Sequence, residues 1–147
     1  MKKKTILSFV LILVAITAIS LIGCADMRRP NNVTREQVID AADYLELDYE
    51  EFLIPLRIYL AEYTYLDFFE YETIADATTR FRSIDNSYNV RRSSISTDIG
   101  TYRMRRFTSQ GTFVRLYQID YVVIYARGPS DKRSYIDTFM ERIIIRD

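Results

Sequence analysis

Thr112–Arg127 constrains the fold more than any other stretch of the chain. It runs without a glycine or proline and is rich in β-branched and aromatic residues. Its odd positions carry Phe113, Arg115, Tyr117, Ile119, Tyr121, Val123 and Tyr125; its even positions carry Val114, Leu116, Gln118, Asp120, Val122 and Ile124. Such residues in alternation make a strand, and a strand this long must bend or twist to stay within one domain. Upstream, Ser109-Gln110-Gly111 reads as a tight hairpin turn, preceded by strands at Thr101–Thr108 and Tyr88–Thr97. Downstream, Gly128-Pro129-Ser130-Asp131 turns the chain into a last strand over Arg133–Arg146, with Phe139, Ile143 and Ile145 on one side.

The period differs before Asp85-Asn86-Ser87. Thr34-Arg35-Glu36-Gln37 is a capping-box pattern, and Val38, Ala41, Ala42 and Leu45 fall on one stripe, predicting a helix from Arg35 to Leu47. Asp48-Tyr49-Glu50-Glu51 resembles a second cap, followed by a turn through Phe52–Ile54. Pro55 suits a first helical turn, and Leu56, Tyr59, Leu60, Tyr63 and Leu66 then predict a helix to Phe69. Ile74, Ala77, Phe81 and Ile84 predict a further one. Helices first and strands after imply an α+β domain over 34–147, with N-terminal helices packed on a curved antiparallel sheet of about four strands. In element order this resembles the NTF2-like and cystatin-like folds.

The amino-terminal stretch carries a different message. Lys2, Lys3 and Lys4 form a basic start, an apolar run extends from Thr5 through Ser20, and Leu21-Ile22-Gly23-Cys24 ends at the only cysteine. A basic segment before an apolar one is the pattern of an export signal. Leu21-Ile22-Gly23-Cys24 resembles the lipobox of bacterial lipoproteins. The resemblance implies a cleaved signal peptide over 1–23, diacylglycerol on the Cys24 thiol, and a tether over 24–33 holding the domain outside the cytoplasm. An uncleaved membrane helix is the alternative, since Thr5–Ile22 is about long enough to span a thin bilayer.

Composition narrows the chemistry. The chain has 20 Lys plus Arg, 20 Asp plus Glu, and no histidine. Loss of the three amino-terminal lysines leaves acidic residues in excess, which is not the balance of a nucleic-acid-binding protein. One cysteine excludes an intrachain disulfide. Without histidine there is no Ser-His or Cys-His pair and no imidazole metal site. No phosphate-cradling glycine loop or calcium loop is present, and no cofactor or metal is expected.

Two groups of residues are candidates for binding. The chain is acidic from Ala25 to Thr79 and basic from Arg80 to Asp147. Arg91, Arg92, Arg103, Arg105, Arg106 and Arg133 are therefore candidates for a surface that meets an anionic partner. Tyr117, Gln118, Asp120 and Tyr121 are candidates for a ligand pocket. If the even face of the long strand lies under the helices, Asp120 sits in a concavity and becomes a candidate acid or base; if the odd face is the core, Asp120 points to water. These features predict a membrane-anchored binding or interaction module at the cell envelope. The alternative is a small-ligand-binding or carboxylate-dependent enzyme with an NTF2-like pocket.

Overall fold

A computed structural model describes residues 32–51 and 54–144. The element order is α1 (Arg35–Tyr44), β1 (Tyr49–Glu51), β2 (Leu56–Ala61), β3 (Thr64–Glu70), α2 (Ile74–Asn86), β4 (Arg92–Ile99), β5 (Tyr102–Ser109), β6 (Thr112–Ile119), β7 (Val122–Pro129), a 3-10 turn (Ser130–Lys132) and α3 (Arg133–Ile144). The strands form one seven-stranded sheet in the order β1-β2-β3-β7-β6-β5-β4, antiparallel throughout.

This corrects the expected four-stranded sheet beneath N-terminal helices. Four segments account for the difference. Pro55–Phe69 is not a helix but the β2–β3 hairpin. Leu56, Ile58 and Leu60 alternate inward, and the hairpin turns at Tyr63, which adopts φ 55°. Leu56, Leu60, Tyr63 and Leu66 satisfy a helical period, while Leu56, Leu60 and Leu66 also satisfy a strand period, and no glycine or asparagine marks the turn. The Asp48–Glu51 stretch likewise contains the short strand β1 and not a helix cap.

The long strand Thr112–Arg127 is two strands. It folds back at Asp120-Tyr121, with Asp120 at φ 52° and Ile119 paired with Val122. A carboxylate residue tolerates the left-handed region better than most residues with a Cβ. The two-residue turn reverses parity, so Tyr117 on β6 and Tyr125 on β7 lie on opposite faces. The last segment, Arg133–Arg146, is helical as far as it is described. Ile136, Phe139, Met140 and Ile143 fall at helical spacing and are buried.

Elsewhere local chemistry matches local structure. Thr34 accepts a hydrogen bond from the Gln37 amide while the Gln37 side chain accepts one from the Thr34 amide, completing the capping box of α1. Gln110 and Gly111 both have positive φ, as a two-residue hairpin turn requires. Thr73 caps α2 by accepting from the Asp76 amide.

Both faces of the sheet are covered, each by different helices. On one face α1 and α3 pack over Leu56, Ile58, Leu66, Phe68, Phe113, Tyr117, Ile124 and Ala126. On the other, α2 brings Ala77, Phe81 and Ile84 against Phe69, Phe107, Val114, Leu116, Val123 and Tyr125. The chain crosses the sheet in α2 from β3 to the far edge at β4, and the β4–β7 meander returns to β3. Gly128 on β7 lies against Thr64 on β3, so close that a Cβ there would meet Thr64 side-chain atoms at 2.5–2.9 Å.

Candidate functional site

On β5 the alternation of side chains sends Arg103, Arg105 and Phe107 toward α2, and Met104 and Arg106 toward α3. Arg106 is the direct cross-strand neighbour of Arg115 on β6. Like charges placed opposite each other repel, and α3 answers them with Asp137. Asp137 Oδ2 accepts from Arg106 Nη2 at 3.4 Å and from Arg133 Nε at 3.0 Å, and its Oδ1 accepts from Arg115 Nη1 at 2.9 Å. Arg115 also donates from Nε and Nη2 to the Tyr117 hydroxyl at 3.1 and 2.6 Å.

Three guanidinium groups therefore share one carboxylate, leaving two positive charges beyond what Asp137 neutralises. The Phe113 ring forms the floor, with Arg133 at 4.9 Å and Arg106 at 5.8 Å from its centroid. Arg115 is nearly enclosed, whereas half of the Arg133 side chain is exposed. Planar, delocalised guanidinium groups bind carboxylates and phosphates through paired N–H bonds. The arrangement can therefore hold an anion at the Arg106–Arg133 mouth.

The opposite face is nearer to charge balance. Arg105 donates to Asp98 Oδ1 and Oδ2 at 2.6 and 3.0 Å and to Asp85 Oδ2 at 3.2 Å. Arg91 pairs with Asp85 at 2.6 Å and stacks over Phe107. Hydrogen bonding from Arg105 holds the Asp98 carboxyl below its ordinary pKa range, and the same bond raises that of Arg105. Arg103 donates to the Gln118 side-chain oxygen and to Thr78 Oγ1 at 3.2 Å. Arg92 is exposed at the start of β4. The six sequence-derived arginines therefore do not form one surface. Arg106 and Arg133 converge on Asp137, Arg91, Arg103 and Arg105 lie on the α2 face, and Arg92 stands at the sheet edge.

The four pocket candidates are also separated. Tyr117 is buried on the α3 face, and Gln118 is buried on the α2 face, donating to Thr78 Oγ1 at 2.9 Å and to the Asp120 carbonyl at 3.2 Å. Asp120 and Tyr121 form the β6–β7 turn, where Asp120 accepts from Thr101 Oγ1 and Tyr121 is 40% exposed. A cavity of about 360 Å³ opens elsewhere, walled by Arg35, Ile54, Phe68, Glu70, Tyr71 and Glu72. Among the described residues no group of three or more His, Cys, Asp or Glu could hold a metal ion. No helix among them is long and apolar enough to cross a membrane. Cys24 lies outside the described residues.

Arg115 was not among the sequence candidates, and nothing in the sequence joined Asp137 to the arginines. The signal for Arg115 was present: a two-residue turn at Gln110-Gly111 sets a register in which Arg106 faces Arg115. Asp137 had no such signal, because its segment reads as a strand.

The architecture defines a helix-covered antiparallel sheet carrying an arginine cluster on one face. No family model and no curated protein matches the chain. Among solved structures it is similar to a GTP binding regulator from Thermotoga maritima, with 8% sequence identity, a TM-score of 0.54, and coverage of 78% of this chain and 90% of that one. At that identity the likeness is one of fold.

Proposed function

We propose that this protein is a lipid-tethered, extracytoplasmic binding module of the bacterial envelope, not an enzyme, and that it engages an anionic group of an envelope component through Arg106, Arg115 and Arg133. The tether reading rests on the basic start, the apolar run and the lipobox-like Leu21-Ile22-Gly23-Cys24. The observation that carries the binding reading is the sharing of Asp137 by three arginines. A cluster with surplus positive charge, a flat aromatic floor and one exposed guanidinium gains stability when an anion enters.

Each half has its own test. Cys24→Ser shifts the protein from the membrane fraction to the soluble one; a variant that stays firmly in the membrane overturns the lipid anchor. For binding, the full chain in non-ionic detergent is titrated with inorganic polyphosphate. The Arg106→Gln, Arg133→Gln double variant should bind about tenfold more weakly at low salt. Unchanged affinity in that variant overturns the anion site.

A further inference from the structure

The two edges of the sheet are not alike. The β1 edge is three residues long and carries Glu50 and Glu51, the usual way of blunting an edge. The β4 edge is eight residues long and almost wholly exposed on both faces. Ser93 at φ 51° marks a bulge, after which the β4–β5 register runs unbroken from Ile95 to Ile99. The turn at Gly100 ends it. Five regular residues, Ile95-Ser96-Thr97-Asp98-Ile99, thus present a strand edge that no other described strand pairs, bounded on both sides.

That segment is complementary to itself. In an antiparallel pairing centred on Thr97, Ile95 faces Ile99 of a second copy, Ile99 faces Ile95, and Thr97 faces Thr97. All three share the sheet face of Arg106, Met104 and Tyr102, their partners on β5, and each isoleucine is 50% exposed in the single chain. On the other face Ser96 meets Asp98 of the second copy, whose carboxylate can accept its hydroxyl. Within one chain Ser96 is paired with Arg105 and Asp98 with Arg103. The row across the junction then reads arginine, serine, aspartate, arginine. Each carboxylate lies next to an arginine, and no like charges face each other. Cross-strand pairs of this kind are the unit of sheet stabilisation.

We infer that β4 is a self-association edge, at which a second copy of this chain adds in antiparallel register about Thr97 to give one continuous fourteen-stranded sheet, twice the seven strands of one chain. The interface is isologous, and the two-fold axis closes it at a dimer. A strand pair buries less than the roughly 1,200–2,000 Å² of a standard stable complex, so the association is weak and reversible. It depends on neither the lipid anchor nor the anion cluster.

The register makes the test specific. In the full chain carrying Cys24→Ser, in detergent, Thr97→Cys places two thiols opposite each other at a separation a disulfide can bridge. Mild oxidation should give a covalent dimer, whereas Ser83→Cys, at an exposed position of α2, should not. By sedimentation, Ile95→Lys with Ile99→Lys sets lysine against lysine and should weaken the dimer at least about tenfold, while Ile95→Lys with Ile99→Asp should restore it. Both isoleucines are half-exposed, so these changes leave the core intact. The inference is overturned if the parent sediments as a monomer at about 100 μM, if the Thr97→Cys variant fails to cross-link, or if the double-lysine variant dimerises like the parent.

Discussion

Gly128 carries a constraint that no helix or strand pattern reveals. It faces Thr64, a buried β-branched residue that cannot swing away, at distances no Cβ tolerates. Gly128→Ala forces β3 and β7 apart at the junction of the two halves of the sheet. It should cost about 1–3 kcal/mol in urea unfolding, the range for overpacking a tight site. Asp98 is constrained in a different way. Arg105 depresses its pKa, so the pair adds stability that is fully present above the ordinary aspartate value and is lost as pH falls through the folded-state value. More than half of the Asp98 side chain meets solvent, so the pair contributes only about 0.5 kcal/mol. Asp98→Asn should therefore lower the urea midpoint slightly at neutral pH, and the gap from the parent should close as pH falls through the lowered folded-state value of Asp98.

At the scale of elements, α2 and α3 behave oppositely with respect to their sequence. Ala77, Phe81 and Ile84 lie on one stripe behind the Thr73 cap, so α2 is legible, and the structure buries those three residues. Phe81 is enclosed against the α2 face of the sheet with Arg105 above its ring. Phe81→Ala should destabilise the domain by about 3–5 kcal/mol in denaturant titration, the cost of an aromatic-sized cavity. By contrast, Arg133–Arg146 reads as a strand because Phe139, Ile143 and Ile145 are all odd. Ile136 and Met140 complete a helical stripe instead, and α3 uses it to cover Phe113 and Tyr117. With the helix in place Asp137 reaches Arg106, Arg115 and Arg133. The site was thus half legible: Arg106 and Arg133 stood out by charge, while the convergence of Arg106, Arg115 and Arg133 on Asp137 depended on an element read with the wrong period.

For the whole molecule, the sheet is the frame and its centre is where the two ends of the fold meet. β3 and β7 pair over Tyr65–Glu70 and Val122–Arg127, joining the N-terminal hairpin to the C-terminal meander. β3, β6 and β7 are covered on both faces, whereas β4 is not. Amide hydrogen exchange should therefore be slowest in β3, β6 and β7 and fastest in β4, by orders of magnitude in rate, because local opening follows burial. The acidic and basic halves of the chain do not form separate layers either. Arg57 pairs with Asp67 within the first half, and Asp85, Asp98 and Asp137 meet arginines within the second. By itself the sequence determined features that depend on neighbours along the chain: the capped starts of α1 and α2, the Gln110-Gly111 turn and the export-type pattern of the amino terminus. Only the tertiary structure decided Leu56–Glu70, Thr112–Pro129 and Arg133–Ile144. Their apolar residues fit more than one arrangement, and burial against a partner surface distant in sequence selects the one that forms.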